Sequence, residues 1–251
     1  MRLSIFCANK YNISRRLAKE YIKSGNILID KSIIKKDIYI QGNENVILSI
    51  EKTQSTINVE DYIIFKDSHY IFLYKPPFIH SERLKIDDNI TISDIYKFFP
   101  DYTPLSRLDY EADGVIGMVK NNIQIDNLSK SYYAIVEGNF PKKITISKKI
   151  DADNKKKVKV IDDNNDGFRT YMENISYNGK YSLINVTLNK AARHQVRAFS
   201  SYLNHPILGD KIYNGKPFKR LCLHCYKYSI NNKTILHEEK TNEFLQIYYN
   251  I

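Results

Sequence analysis

Three short stretches of this 251-residue chain set polar residues among neighbours that would build core. In the first, Arg107-Leu108-Asp109 stands just ahead of Gly114 and the apolar run Val115–Val119. A carboxylate there reads either as an Asp that caps a turn and pairs with the local Arg, or as a reactive group. In the second, Lys130-Ser131-Tyr132-Tyr133-Ala134-Ile135-Val136-Glu137-Gly138 reads as a strand with Tyr132 and Tyr133 on opposite faces. In the third, Arg193-His194-Gln195-Val196-Arg197 leads toward Asn204-His205-Pro206-Ile207-Leu208-Gly209-Asp210. Read as a helix from about Arg193 to Leu203, this segment puts Arg197 four residues from Arg193 and three from His194, on adjoining positions, while Val196, Phe199 and Leu203 face the core. A carboxylate removed from water stays ionised when a cation offsets the desolvation. A fourth candidate is Cys222-x-x-Cys225 with His224 between the two thiols. No second ligand pair accompanies it, and Leu221, Leu223 and Cys225 alternate as a strand does, so the thiols are assigned to the core.

In this order the segments resemble the RluA-type pseudouridine synthases. That pattern reads His-Arg-Leu-Asp, Lys-x-Tyr-x-Ala-x-Val-x-Gly, His-Gln-Ile-Arg and His-Pro-Ile-Leu-Gly-Asp, and Arg220-Leu221-Cys222-Leu223-His224 is similar to the family's closing Arg-Leu-x-Leu-His strand. The resemblance spans roughly residues 60–230 and implies a reaction that breaks the uracil–ribose bond, turns the base and rejoins it through carbon. Nothing is oxidised, so neither cofactor nor metal is implied. By resemblance Asp109 is the essential carboxylate, as nucleophile or electrostatic stabiliser, with Tyr132 and Arg197 as its catalytic partners. Arg107, Arg193, His194 and Gln195 are implied as substrate-binding residues, and Leu223 as apolar wall against the base. Tyr132 would stack on the uracil; a phenol near its ordinary pKa is a poor base at pH 7, which favours stacking over proton removal. A target carbon shielded in stacked RNA implies a flipped-out nucleotide. The chain departs from the pattern at Ser106, where His is usual, at Ala112-Asp113 for Thr-Ser, at Ala191-Ala192-Arg193 for Gly-Arg-Thr, and at Phe78 for Gly. These departures bear on target recognition, and they keep open a second reading, a catalytically retired RNA-binding or ribosome-assembly factor, which an Asp109–Arg197 contact would count against.

The elements that must position these residues fall into two parts. Residues 1–52 read as a basic module: Ser14 caps a helix that carries Leu17, Tyr21 and Ile22 on one face and Arg15, Arg16, Lys19 and Lys23 largely on the other. Gly25 stops it, and short strands follow around Ile27-Leu28-Ile29, Ile33-Ile34 and Val46-Ile47-Leu48. Arg2-Leu3-Ser4-Ile5-Phe6, Ser14-Arg15-Arg16-Leu17-Ala18 and Leu28-Ile29-Asp30-Lys31 resemble, in register, the S4-type RNA-binding domain, which implies phosphate contacts from that helix. Ten Lys and Arg against five Asp and Glu lie in this module, half of the net charge of +10. A basic chain without an interfacial apolar anchor suits nucleic acid better than membrane. Residues 53–59 are the expected linker, and 60–251 the catalytic domain. Many short strands with few helices predict a mixed α+β domain on mainly antiparallel sheet. A helix is expected at Ile92–Phe99, and a Lys-rich excursion, with Lys155-Lys156-Lys157, between Gly138 and Gly167. No transmembrane run or signal core is present in the sequence, so the expectation is a cytoplasmic monomer acting on RNA, rRNA before tRNA because the S4-type module is commoner in the rRNA-modifying branch.

Overall fold

The computed structural model describes residues 1–11, 13–49, 57–84, 88, 90–151, 156–163 and 167–251. Two compact units emerge, Met1–Asn58 with His80–Phe98, and Val59–Ile79 with Phe99–Ile251. Residues 53–56 of the expected linker lie outside the described residues.

In the first unit, helices α1 (Leu3–Lys10) and α2 (Arg15–Lys23) accompany an antiparallel sheet ordered β2-β1-β3, formed by β1 (Ile27–Ile29), β2 (Ser32–Ile34) and β3 (Val46–Leu48). The Ser14 side chain accepts from Leu17 N–H at 3.2 Å, as an N-cap should. Leu17, Ala18, Tyr21 and Ile22 are buried with Leu3, Cys7, Ile27 and Val46. Asp30 and Lys31 both take positive φ, 47° and 71°, which is what a two-residue hairpin between β1 and β2 demands. Helix α1 was not anticipated, because its buried side chains are few and no side chain caps it. The unit also takes in His80–Phe98, which the sequence reading placed in the catalytic domain. Here α3 (Ile92–Tyr96) starts at a capping box of Thr91 and Asp94 and ends three residues sooner than expected. Arg83 pairs with Asp94 at 2.6 Å, and burial opposed by hydrogen bonds from Lys97, Thr91 and Arg83 leaves the Asp94 carboxyl lowered to about 2.

The second unit is an eleven-stranded sheet ordered β10-β9-β11-β12-β8-β13-β7-β5-β4, with β14 added to β13 and β6 to β7. Its strands are β4 (Ile63–Lys66), β5 (Tyr70–Lys75), β6 (Tyr102–Pro104), β7 (Asp113–Lys120), β8 (Leu128–Glu137), β9 (Lys143–Asp151), β10 (Lys159–Ile161), β11 (Phe168–Tyr177), β12 (Tyr181–Leu188), β13 (Leu223–Ile230) and β14 (Lys233–Leu236). Among the described residues β7 and β13 pair in parallel and the other pairs are antiparallel, so the expected mixed α+β class holds. Helices α4 (Gln195–Tyr202) and α5 (Glu238–Tyr249) complete the unit. Within the Lys-rich excursion β9 and β10 pair antiparallel, and Val158 is buried with Ala198 of α4 and Tyr213. Lys156 and Lys157 are exposed, while Lys155 lies outside the described residues. No helix among the described residues is long and apolar enough to cross a membrane.

The parallel contact between β7 and β13 depends on Gly114. Its φ is +126°, and a Cβ would sit 2.2 Å from the Cys225 carbonyl oxygen. Gly114→Ala is expected to cost roughly 3 kcal/mol through backbone strain and overlap, and to lower Tm by roughly 6–12 °C in a thermal melt.

Candidate active site

Three elements of the second unit converge on one guanidinium. Arg197, on α4, is 3 % exposed; its Nε and Nη2 each donate at 2.7 Å to the two oxygens of Asp210, and its Nη1 donates to Asp109 Oδ2 at 2.9 Å. Asp210 is fixed independently, since its Oδ1 accepts the Ile212 and Tyr213 backbone N–H groups at 3.0 and 3.1 Å. The turn that delivers it passes through Gly209, where φ is +82° and a Cβ would meet the Arg220 carbonyl oxygen at 1.9 Å. Burial opposes the charge of Arg197, but the bonds to Asp210 and the field of Asp109 outweigh it and hold the guanidinium above its ordinary range. Asp109 sits in the loop between β6 and β7 with its side chain 21 % exposed, so one face stays open. The contact counts against a retired scaffold.

His194 approaches from the other side: its Nε2 is 3.7 Å from Asp109 Oδ1, and its Nδ1 is 3.2 Å from Tyr213 Oη. Burial, aided by Arg197 and Arg193, lowers its pKa against the pull of Asp109. At neutral pH this approach is therefore a contact of a neutral imidazole rather than an ion pair.

Tyr132 on β8 pairs across the ladder with Cys225 on β13, and Leu223 pairs with Ala134 two residues along on the same face. Both Tyr132 and Leu223 are nearly buried, at 6 % and 5 %. Burial pushes the Tyr132 phenol well above its ordinary value, with Cys225, Tyr228 and then Asp109 adding to the rise. Cys222 and Cys225 are fully buried, in line with their assignment to the core, and burial raises both thiols to about 12.

Two expectations change. Gln195, expected to bind substrate, points inward: its Nε2 donates to Thr170 Oγ1 and its Oε1 accepts from Ala192 N–H, both at 2.7 Å, so its amide ties α4 to β11 and to the loop before it. Arg193 is exposed and lies outside the helix, because His194 takes left-handed φ of +56° and α4 begins only at Gln195. Arg107 is exposed, and Ser106 Oγ accepts from Tyr228 O–H at 3.3 Å. Arg15, Arg16, Lys19 and Lys23 are exposed on α2 of the first unit.

Two buried groups were missed. Lys75 at the end of β5 is fully buried, and its Nζ donates to the carbonyls of Pro76 and Ile79 at 2.9 Å and of Tyr110 at 3.4 Å. It thereby fixes the backbone beside Asp109. Phe78, at a position where the family pattern has Gly, takes φ of +63° in the same loop, and its N–H donates to Tyr110 O at 2.8 Å. Burial, only partly offset by Asp113 and Asp109, lowers Lys75 to about 7. Asp113, the residue found for Ser, accepts from Tyr74 O–H at 2.9 Å, pairs with Arg220 and lies 3.2 Å from His224 Nδ1. Burial raises that carboxyl, yet His224 and Arg220 outweigh it and bring it to about 2.

Lys75→Met is expected to orphan three carbonyls, at about 1–3 kcal/mol of stability, and to slow turnover about tenfold by loosening the Asp109 loop. Unfolded Lys75 binds more protons than folded Lys75 between pH 7 and 10.5, so this residue's contribution to stability rises with pH across that window. Thermal melts should show the wild type gaining on Lys75→Met from pH 7 to 9.

Residues 69–202 match the family model described as RNA pseudouridylate synthase. An uncharacterised RNA pseudouridine synthase of Helicobacter pylori is 29 % identical over 235 residues, covering 87 % of this chain and 89 % of the relative. Ribosomal large subunit pseudouridine synthase D of Borreliella burgdorferi is 28 % identical over 277 residues, covering 92 % and 82 %. The solved structure of human RNA pseudouridylate synthase domain containing 4 shares the fold, with a TM-score of 0.56 at 16 % identity over 71 % of this chain and 88 % of that one. With the motifs in order and the family match running from β5 to the end of α4, this chain belongs to the RNA pseudouridylate synthase family and is a pseudouridine synthase of the RluA type.

Proposed function

We propose that this enzyme isomerises uridine in large-subunit rRNA with Asp109 as its essential carboxylate, and that the first unit (residues 1–52 at its centre) binds the RNA. The observation that carries the catalytic part is the arrangement of Asp109: one oxygen is held by Arg197 at 2.9 Å while the side chain keeps a solvent-facing edge. A flipped nucleotide needs such an edge, since the carboxylate must reach the ribose or the base. Arg197 holds Asp109 oriented, Tyr132 supplies an aromatic surface for the uracil, and Leu223 closes the apolar side. Arg15, Arg16, Lys19 and Lys23 give the first unit a cationic helix face that suits phosphates rather than bases. The choice of rRNA is supported by relatives such as the Borreliella burgdorferi protein, which is named for the ribosomal large subunit.

The test is pseudouridine mapping of rRNA and tRNA in cells lacking the protein, complemented with wild type or Asp109→Ala. Sites in large-subunit rRNA that vanish and return only with wild type are the expected result. Loss confined to tRNA overturns the rRNA assignment, and restoration by Asp109→Ala overturns the role of the carboxylate.

A further inference from the structure

A nucleotide flipped out of its stack leaves the base beside it with one face uncovered, and the target stays out more readily when something covers that face. In single-stranded RNA the groups that do so are aromatic side chains, which accept any base on a ring face. We propose that Phe78 and Tyr110 form an aromatic shelf beside Asp109 that stacks on an unpaired base next to the target uridine; this rests on the reading of Asp109 above.

Phe78 is costly where it stands. Its φ of +63° is a left-handed conformation that a bulky side chain rarely adopts and glycine adopts freely, and the residue is 47 % exposed. Strain of this kind persists only where neighbouring bonds enforce it, and it gathers at ligand clamps and active sites. The enforcing bonds are present here. Phe78 N–H donates to Tyr110 O at 2.8 Å, while Lys75 Nζ donates to the carbonyls of Pro76 and Ile79, on either side of Phe78, at 2.9 Å and to Tyr110 O at 3.4 Å. Both rings are thus carried by backbone that is tied together beside Asp109.

Tyr110 is 44 % exposed, and its ring meets that of Phe78 edge to face, with centroids 5.9 Å apart and 69° between the planes. A T-shaped pair lets each ring support the other while leaving ring face that the partner does not cover, and ring face is what a base stacks on. Consecutive Cα atoms lie about 3.8 Å apart, and consecutive stacked nucleotides rise about 3.4 Å along a strand. One residue past Asp109 is therefore at the spacing of one nucleotide past the target. Two residues before Asp109, Arg107 is exposed and offers charge to a phosphate. The carboxylate stands between a cation and an aromatic pair, all within the second unit.

The test is steady-state conversion of a synthetic RNA carrying the mapped uridine, beside two copies in which the nucleotide on its 5′ or its 3′ side is abasic. Wild type should lose about tenfold in kcat/KM on one of the two abasic RNAs. Phe78→Leu and Tyr110→Leu keep apolar bulk without a ring; each should lose roughly five- to tenfold on the full RNA and little more on that abasic RNA, because the contact is already gone. Phe78→Tyr keeps a ring face and should stay within about twofold of wild type. Phe78→Gly relieves the left-handed strain, so its Tm should match or exceed that of wild type while its kcat/KM falls about tenfold. A ring that merely braced the loop would lower Tm and leave kcat/KM near wild type. Should Tyr110→Leu fail to give a cooperative melt, the Phe78 variants decide. Phe78→Leu within about twofold of wild type on the full RNA, the same further loss as wild type on the abasic RNA, or a Tm of Phe78→Gly clearly below wild type overturns the shelf and leaves Asp109 in its role. A wild type that converts no uridine in RNA from cells lacking it overturns the reading of Asp109 and the shelf with it.

Discussion

Asp109→Asn is expected to reduce turnover by about 10³-fold or more while leaving folding and RNA affinity nearly intact. Asn keeps the shape and one acceptor for Arg197 Nη1 but removes the charge, and with it both roles open to the carboxylate, attack and stabilisation of developing positive charge at the ribose. Stability should hardly change, because Asp109 keeps a 21 % exposed side chain and Arg197 keeps its two bonds to Asp210. Single-turnover conversion of an RNA carrying the mapped uridine, read beside a gel-shift titration and a thermal melt, checks all three. Residual turnover above a hundredth of wild type with unchanged affinity would mean that Asp109 orients the site without acting at the reacting bond.

What the sequence disclosed depends on how each residue is held. Asp109 and Arg197 are 88 positions apart, and nothing in their local spacing joins them; only the ordered motifs of the family did so. The burial of Cys225 was legible from strand alternation, because side-chain direction in a ladder follows from position parity, whereas Tyr132 and Leu223 came from the family motifs and Cys222 from the lack of a second ligand pair. Arg193 was misplaced because the helix was started two residues too early, and a left-handed residue at His194 leaves no mark in the hydrophobic pattern. Gln195 differs: a polar side chain beside catalytic neighbours looks like a ligand contact, whereas its amide bonds Ala192 three residues back and Thr170, which β11 brings in from elsewhere. Lys75 was overlooked because a fully buried lysine is rare, and the three carbonyls that receive it come from two separate loops. The allotment of His80–Phe98 to the first unit is a matter of long-range packing, whereas the cap at Thr91 and Asp94 was written locally.

Replacement of Arg197 is the substitution expected to harm both fold and chemistry. Asp210 is fully buried, and Arg197 supplies a bidentate pair of bonds to it at 2.7 Å. Arg197→Met leaves that carboxylate with two backbone N–H groups and no counter-charge, which is expected to cost about 3–5 kcal/mol and to lower Tm by roughly 8–15 °C. Asp210→Asn leaves Arg197 one buried partner short but still paired with Asp109, so its cost should be smaller, at roughly 1–3 kcal/mol. The double variant should be more stable than Arg197→Met, since a neutral amide needs no cation, and the cycle should give a coupling of roughly 1–3 kcal/mol. Activity follows a different order. Arg197→Met and the double variant both leave Asp109 without its cation and should be nearly inactive, whereas Asp210→Asn keeps the Asp109 contact and should retain measurable turnover. If the double variant regained turnover together with stability, Arg197 would be serving Asp210 alone, and the link from α4 to the catalytic carboxylate would have to be abandoned.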